Sequence, residues 1–157
     1  MGTHSRIAVM HGTVCKSVYC HWDGYLSFNG RILQESYDSA KANQLVALGD
    51  LSSLRRDIGE KHAFSQFDLP AEEVEAFKTL TENMCTFYGR DRGEKHTEWK
   101  VAVNFETFLE QCERSGAEYY YVMENGQWYY GSMHENSPFY QRLVLLSEAL
   151  ESETVDQ

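Results

Sequence analysis

Positive charge is scarce in this chain: Lys and Arg total 14 against 24 Asp and Glu, a formal net charge of −10. Generic attraction to a phosphate backbone is therefore unfavourable unless the few basic residues gather on one face, so nucleic acid is not the expected partner. Long apolar runs are absent as well. No stretch approaches the length needed to cross a bilayer, and the opening Met1-Gly2-Thr3-His4-Ser5-Arg6 lacks the apolar centre of a secretory signal. The expected setting is the cytosol, with no membrane partner. There is no Gly-x-Ser-x-Gly, no phosphate-binding glycine-rich loop and no His-Glu-x-x-His, so the sequence shows none of these catalytic signatures. Repeats and low-complexity tracts are missing too. Cys15, Cys20, Cys85 and Cys112 read as small buried thiols of a reducing compartment, and the His11, Cys15, Cys20, His21 group lacks the paired spacing of a zinc knuckle. Neither a metal nor a cofactor is expected.

With 157 residues, 42% of them hydrophobic, the chain can enclose one sizeable core and is short for two. The expectation is a single α+β domain over residues 1–150, followed by a frayed acidic tail over 151–157. Residues 6–10 and 14–22 read as a hairpin around His11-Gly12-Thr13. Residues 25–37 read as helical, and a second helix capped by Asp38 or Ser39 carries Ala42, Leu45 and Val46 before Gly49 closes it. Residues 50–67 form a long irregular connection in which Leu51, Leu54 and Ile58 plug the core. Pro70, Glu72 and Glu73 open a short peripheral helix that buries Val74 and Phe77. Residues 85–89 and 98–103 look extended, with a charged loop between them.

In the final third, Asn104 caps a helix with Phe105, Phe108, Leu109 and Cys112 on one stripe, and Gly116 stands at its left-handed end. Two strands then meet at Asn125-Gly126, a pair suited to the positive φ values of a type I′ turn. A last helix is expected from Ser137-Pro138, burying Phe139, Leu143, Leu146 and Leu150. The resulting architecture is a mainly antiparallel sheet built from two hairpins, with helices packed on one face.

Two constellations carry recognition chemistry. His21, Trp22, Asp23 and Tyr25 cluster where a strand gives way to a turn: the rings can stack on a planar group while His21 and Asp23 bond its edge. The alternative is structural, with the rings buried and Asp23 capping the turn. Tyr88, Arg90 and Arg92 lie in a loop bracketed by Gly89 and Gly93, and Arg31 adds another guanidinium; such forks suit phosphate or carboxylate. Here the alternative is neutralisation by Asp91 and neighbouring acids. Tyr119 to Tyr121 and Trp128 to Tyr130 put rings on both faces of the last hairpin, as core or as a stacking platform.

Tyr19-Cys20-His21-Trp22-Asp23-Gly24-Tyr25, Gly30-Arg31-Ile32-Leu33, residues 48–54 and Thr86-Phe87-Tyr88-Gly89-Arg90-Asp91-Arg92-Gly93, with the Met-Gly-Thr-x-Ser opening, resemble a widespread group of small phage and prophage proteins. Position 4 is His where that group would carry Arg, so no guanidinium contact is expected there. The resemblance implies expression inside an infected bacterium and an accessory, often counter-defence, role. The expected function is binding of a small anionic, nucleotide-like ligand between the Trp22 turn and the Arg90 loop, without turnover. The alternatives are an acidic inhibitor that binds a host protein through Glu72 to Glu75 and the tail, and a hydrolase or transferase acting on such a ligand.

Overall fold

The computed structural model describes residues 2–155, with side chains through Glu153. Strands β1 (Ser5–His11) and β2 (Val14–Cys20) form the first hairpin, and β6 (Tyr119–Glu124) and β7 (Gln127–Ser132) form the second. Asn125 and Gly126 take φ values of 52° and 79° at the second turn, the positive pair that the Asn-Gly sequence tolerates. The hairpins join through a parallel ladder between β1 and β6 that pairs Ser5 with Tyr119 and Val9 with Met123. Beyond β2 lie β3 (Leu51–Ser53) and β4 (Thr86–Phe87), and beyond β7 lies β8 (Val144–Leu145). At the other end of β2, β5 (Lys100–Ala102) pairs antiparallel with Cys15 to Ser17. The whole is a mixed, mostly antiparallel sheet of an α+β fold.

Alternation along the central strands sorts the core into two layers. Ile7, Val9, Val18, Cys20, Tyr121, Met123, Trp128 and Tyr130 face one layer. It is closed by α1 (Arg31–Ser36), α2 (Ser39–Ala47) and α6 (Leu146–Val155). Ala8, Cys15, Tyr120 and Val122 face the other, where α5 (Phe105–Ser115) lays Phe108 and Cys112. Helices therefore flank both faces instead of one, because the central strands are apolar on both sides. Both faces of the tyrosine-rich hairpin contribute to these layers, so it is not an open platform. All four cysteines are buried free thiols.

The caps form as the side-chain chemistry dictates: Asp38 accepts the Lys41 N–H, Asn104 accepts the Thr107 N–H, and Gly116 ends α5 at φ 73°. Several elements differ from the sequence reading. Residues 137–143 do not open the last helix: Phe139 packs edge-on against Tyr130 with ring centroids 5.4 Å apart. Its carbonyl accepts the Ser132 N–H at 3.1 Å, so pairing with the end of β7 replaces helical bonds. Tyr88–Arg92 forms a helical turn, α4, where the end of an extended segment and the start of a charged loop were expected, and Gly93 closes it at φ 71°. Helix α3 (Val74–Thr81) buries no residue; Val74 and Phe77 are only partly covered. The stretch from 151, expected as a tail, continues α6 to Val155, and residues 156–157 lie outside the described ones. No helix among the described residues is long and apolar enough to cross a membrane.

One bond ties the second hairpin to the aromatic turn of the first. The buried Tyr121 hydroxyl donates to the Gly24 carbonyl at 2.7 Å. Tyr121→Phe orphans that acceptor and is expected to lower unfolding free energy by about 1–3 kcal/mol, measurable as a reduced urea midpoint with an unchanged slope.

Candidate functional site

The Arg90 loop turns its chemistry inward. The Asp91 side chain is fully buried; one carboxylate oxygen accepts the His62 N–H at 3.0 Å and the Arg90 Nε–H at 3.0 Å. The other accepts the Phe87 N–H at 2.8 Å and an Arg90 Nη2 hydrogen at 3.1 Å. Arg90 also donates to the carbonyls of Ile58, Gly59 and Cys85. This guanidinium fastens the irregular connection to β4, and the expected ligand fork at Arg90 does not form, because its donors already face internal oxygens. Asp91→Ala strands a largely buried cation and is expected to cost about 3–5 kcal/mol of stability. Thermal or urea unfolding of the variant checks it.

Arg92 remains outside, bonded to Glu94 at 2.6 Å and lying over the Phe64 and Tyr88 rings at 4.4 and 5.0 Å. Tyr88 donates its N–H to the Asp50 carbonyl and bonds Ser52 through its hydroxyl. Burial pushes that phenol up, against the pull of Ser52 and of the Arg92 charge. Across the same short strand, the N–H groups of His21 and Trp22 donate to Leu51 and Ser52 carbonyls at 3.1 and 3.0 Å. The structure thus brings His21, Trp22 and Tyr88 to either side of β3, with Arg92 against Tyr88, and leaves Arg90 out.

Trp22 is 43% exposed, and its ring meets His21 edge-on with centroids 4.6 Å apart. His21 belongs to a small imidazole–phenol cluster: the Tyr19 hydroxyl lies 2.9 Å from His4 Nδ1 and 3.0 Å from His21 Nδ1. Burial pushes the Tyr19 phenol up to about 12. Desolvation, then the nearby His4, lowers the His21 pKa from 6.5. A depressed imidazole contributes stability that is complete above its unfolded pKa and is lost as pH falls through the folded value. Stability is expected to decline as pH drops below about 6.5, and chemical denaturation of His21→Gln should show a flatter acid limb. Asp23 holds the turn in left-handed geometry at φ 56°, its carbonyl accepting the Asn29 N–H at 3.2 Å.

Arg31 points to a different place. It lines a groove of about 330 Å³ with Phe28, Arg55, Arg56, Glu82 and Asn83. A wide π turn over Leu26–Gly30 presents Phe28, and α1 begins at Arg31 directly after it. The Arg55 guanidinium sits 5.3 Å from the centre of the Phe28 ring. Its backbone is pinned at both ends: the N–H donates to the Cys85 sulfur at 3.3 Å, and the carbonyl accepts the Tyr37 hydroxyl at 2.8 Å. The next carbonyl, of Arg56, accepts from Lys41 Nζ. Glu35 serves two guanidiniums, Arg56 at 2.8 Å and Arg31 at 3.7 Å. Among the described residues no carboxylate lies within ion-pair reach of Arg55.

The groove therefore offers an aromatic face, a guanidinium without an acidic partner and two more sharing Glu35, three guanidiniums against the single Glu82 carboxylate on the lining. That arrangement can hold a planar ring bearing phosphate or carboxylate. Sequence reasoning found Arg31 and missed Phe28, Arg55 and Arg56. The available signal was Arg55-Arg56, the one place in the chain where two Lys or Arg residues adjoin. Tyr25, last of the expected site residues, is 39% exposed and faces another cleft, lined also by Tyr119 and Tyr130. No protein-family model, curated protein or solved structure matches this chain.

Proposed function

We propose that this protein binds a small anionic, nucleotide-like ligand without turning it over, and that the ligand sits in the groove of Phe28, Arg31, Arg55 and Arg56. The observation that carries this reading is the convergence of three guanidiniums on one anchored groove in a chain of net charge −10. Phe28 supplies the stacking surface, Arg55 the first anchor for the anion, and Arg31 and Arg56 the remaining forks, exchanging part of their contact with Glu35 for the ligand. Asn83 gives the rim a neutral donor and acceptor. The acidic remainder of the surface disfavours long polyanions and leaves short ones able to reach the groove. In the phage setting that the resemblance implies, such binding withdraws a nucleotide signal from the host's defence.

Titration calorimetry with linear and cyclic nucleotides tests this reading. Binding is expected to weaken with salt, and Arg55→Ala should reduce affinity by roughly tenfold or more, the equivalent of one charge-assisted hydrogen bond. Trp22→Ala should leave it unchanged, and mass spectrometry should return the ligand intact. Absence of binding by every nucleotide, or binding indifferent to Arg55→Ala, overturns the assignment.

A further inference from the structure

A second cavity has the opposite chemistry. It is an open cleft of about 790 Å³ between the π turn, the second hairpin and α6, and among the described residues no Lys or Arg lines it. Tyr119 and Tyr130 stack along one wall with centroids 6.1 Å apart and planes inclined by 21°. Phe139 stands edge-on to Tyr130, and Tyr25 adds a fourth ring at the rim. Glu153 on α6 lines the same space. Its carboxylate shares that lining with the Tyr119 and Tyr130 rings. His134 is paired with Glu118 at 3.3 Å.

We propose that this tyrosine cleft is a second binding site, for a small organic cation of the quaternary or protonated amine class. Ring faces carry negative quadrupole potential and attract a poorly hydrated cation, most strongly where several faces meet. Glu153 supplies the counter-charge, and His134, the basic side chain on the lining, is engaged by Glu118. An anion would meet carboxylate and π faces with no Lys or Arg to compensate, which separates this cleft from the arginine groove. The volume lies within the range of small-molecule sites. The inference stands independently of the anion site, since it uses different side chains and the opposite charge.

The test compares choline with its uncharged isostere 3,3-dimethylbutan-1-ol by NMR titration of the tyrosine ring signals. Choline is expected to bind tighter by roughly threefold to thirtyfold, the fold-change equivalent of cation–π contact. Tyr25→Leu and Glu153→Gln should each weaken choline, whereas Tyr25→Phe, which keeps the ring, should retain it. Tyr25 is partly exposed and Glu153 half-buried, so these variants are expected to fold, and their circular dichroism checks that. Equal affinity for the two isosteres would reveal an apolar pocket without charge selectivity and overturn the proposal. So would the absence of titratable shifts with millimolar choline, or binding that persists unchanged in both Tyr25→Leu and Glu153→Gln.

Discussion

The parallel ladder between β1 and β6 is the constraint on which the remaining architecture depends. Five residue pairs, from Ser5 with Tyr119 to Val9 with Met123, make one sheet of two hairpins that lie far apart in the chain. Because side chains alternate, this register decides which layer each residue joins. A slip of one position would send Tyr121 and Met123 toward α5 and Tyr120 and Val122 toward α2 and α6. The register also places the Tyr121 hydroxyl under Gly24, and through β7 it sets the Trp128 indole N–H 2.9 Å from the Tyr37 carbonyl. Those two bonds fix both ends of the segment that carries the π turn, Phe28 and Arg31.

What a guanidinium can do is decided by the oxygens around it. Arg90 and Arg55 are both pinned near Cys85, yet their roles diverge. Arg90 has a fully buried carboxylate and three carbonyls within reach and acts as a fastener. Arg55 meets one carbonyl, that of Leu54, and a ring face, which leaves donors free for a guest. Arg6 shows a third outcome: it is 1% exposed and donates to the hydroxyl and carbonyl of Ser17 at 2.9 and 3.1 Å. Desolvation lowers its pKa, opposed by the nearby Cys112, Asp50 and Cys15.

Local chemistry was legible where a few adjacent residues settle the outcome. Asn125-Gly126 announces its turn, Asn104 and Gly116 bracket α5, and Asp38 with Ala42, Leu45 and Val46 defines α2. Reading failed where distant partners decide. Phe139 sits in a segment whose Ser-Pro opening resembles a helix start, but the edge of Tyr130 and the Ser132 amide claim it. Residues 85–89 looked extended and the charged stretch after them a loop, while the Asp91 carboxylate, engaged by Phe87, His62 and Arg90, folds Tyr88–Arg92 into a helical turn. The same limit applies to the arginine groove. Phe28 and Arg31 are joined to Arg55 only by the way α1, α2 and β4 come together, through Tyr37 and Cys85.

The π turn over Leu26–Gly30 has one more property. Ser27 lies on the border of both cavities, the aromatic one and the basic one, and its neighbours Leu26 and Phe28 line one each. Leu26, Ser27 and Phe28 therefore stand between spaces of opposite polarity. If a guest on one side displaces these residues, thermodynamic reciprocity requires that a guest on the other side act back with equal coupling free energy. In that case the two occupancies would form a single linked equilibrium.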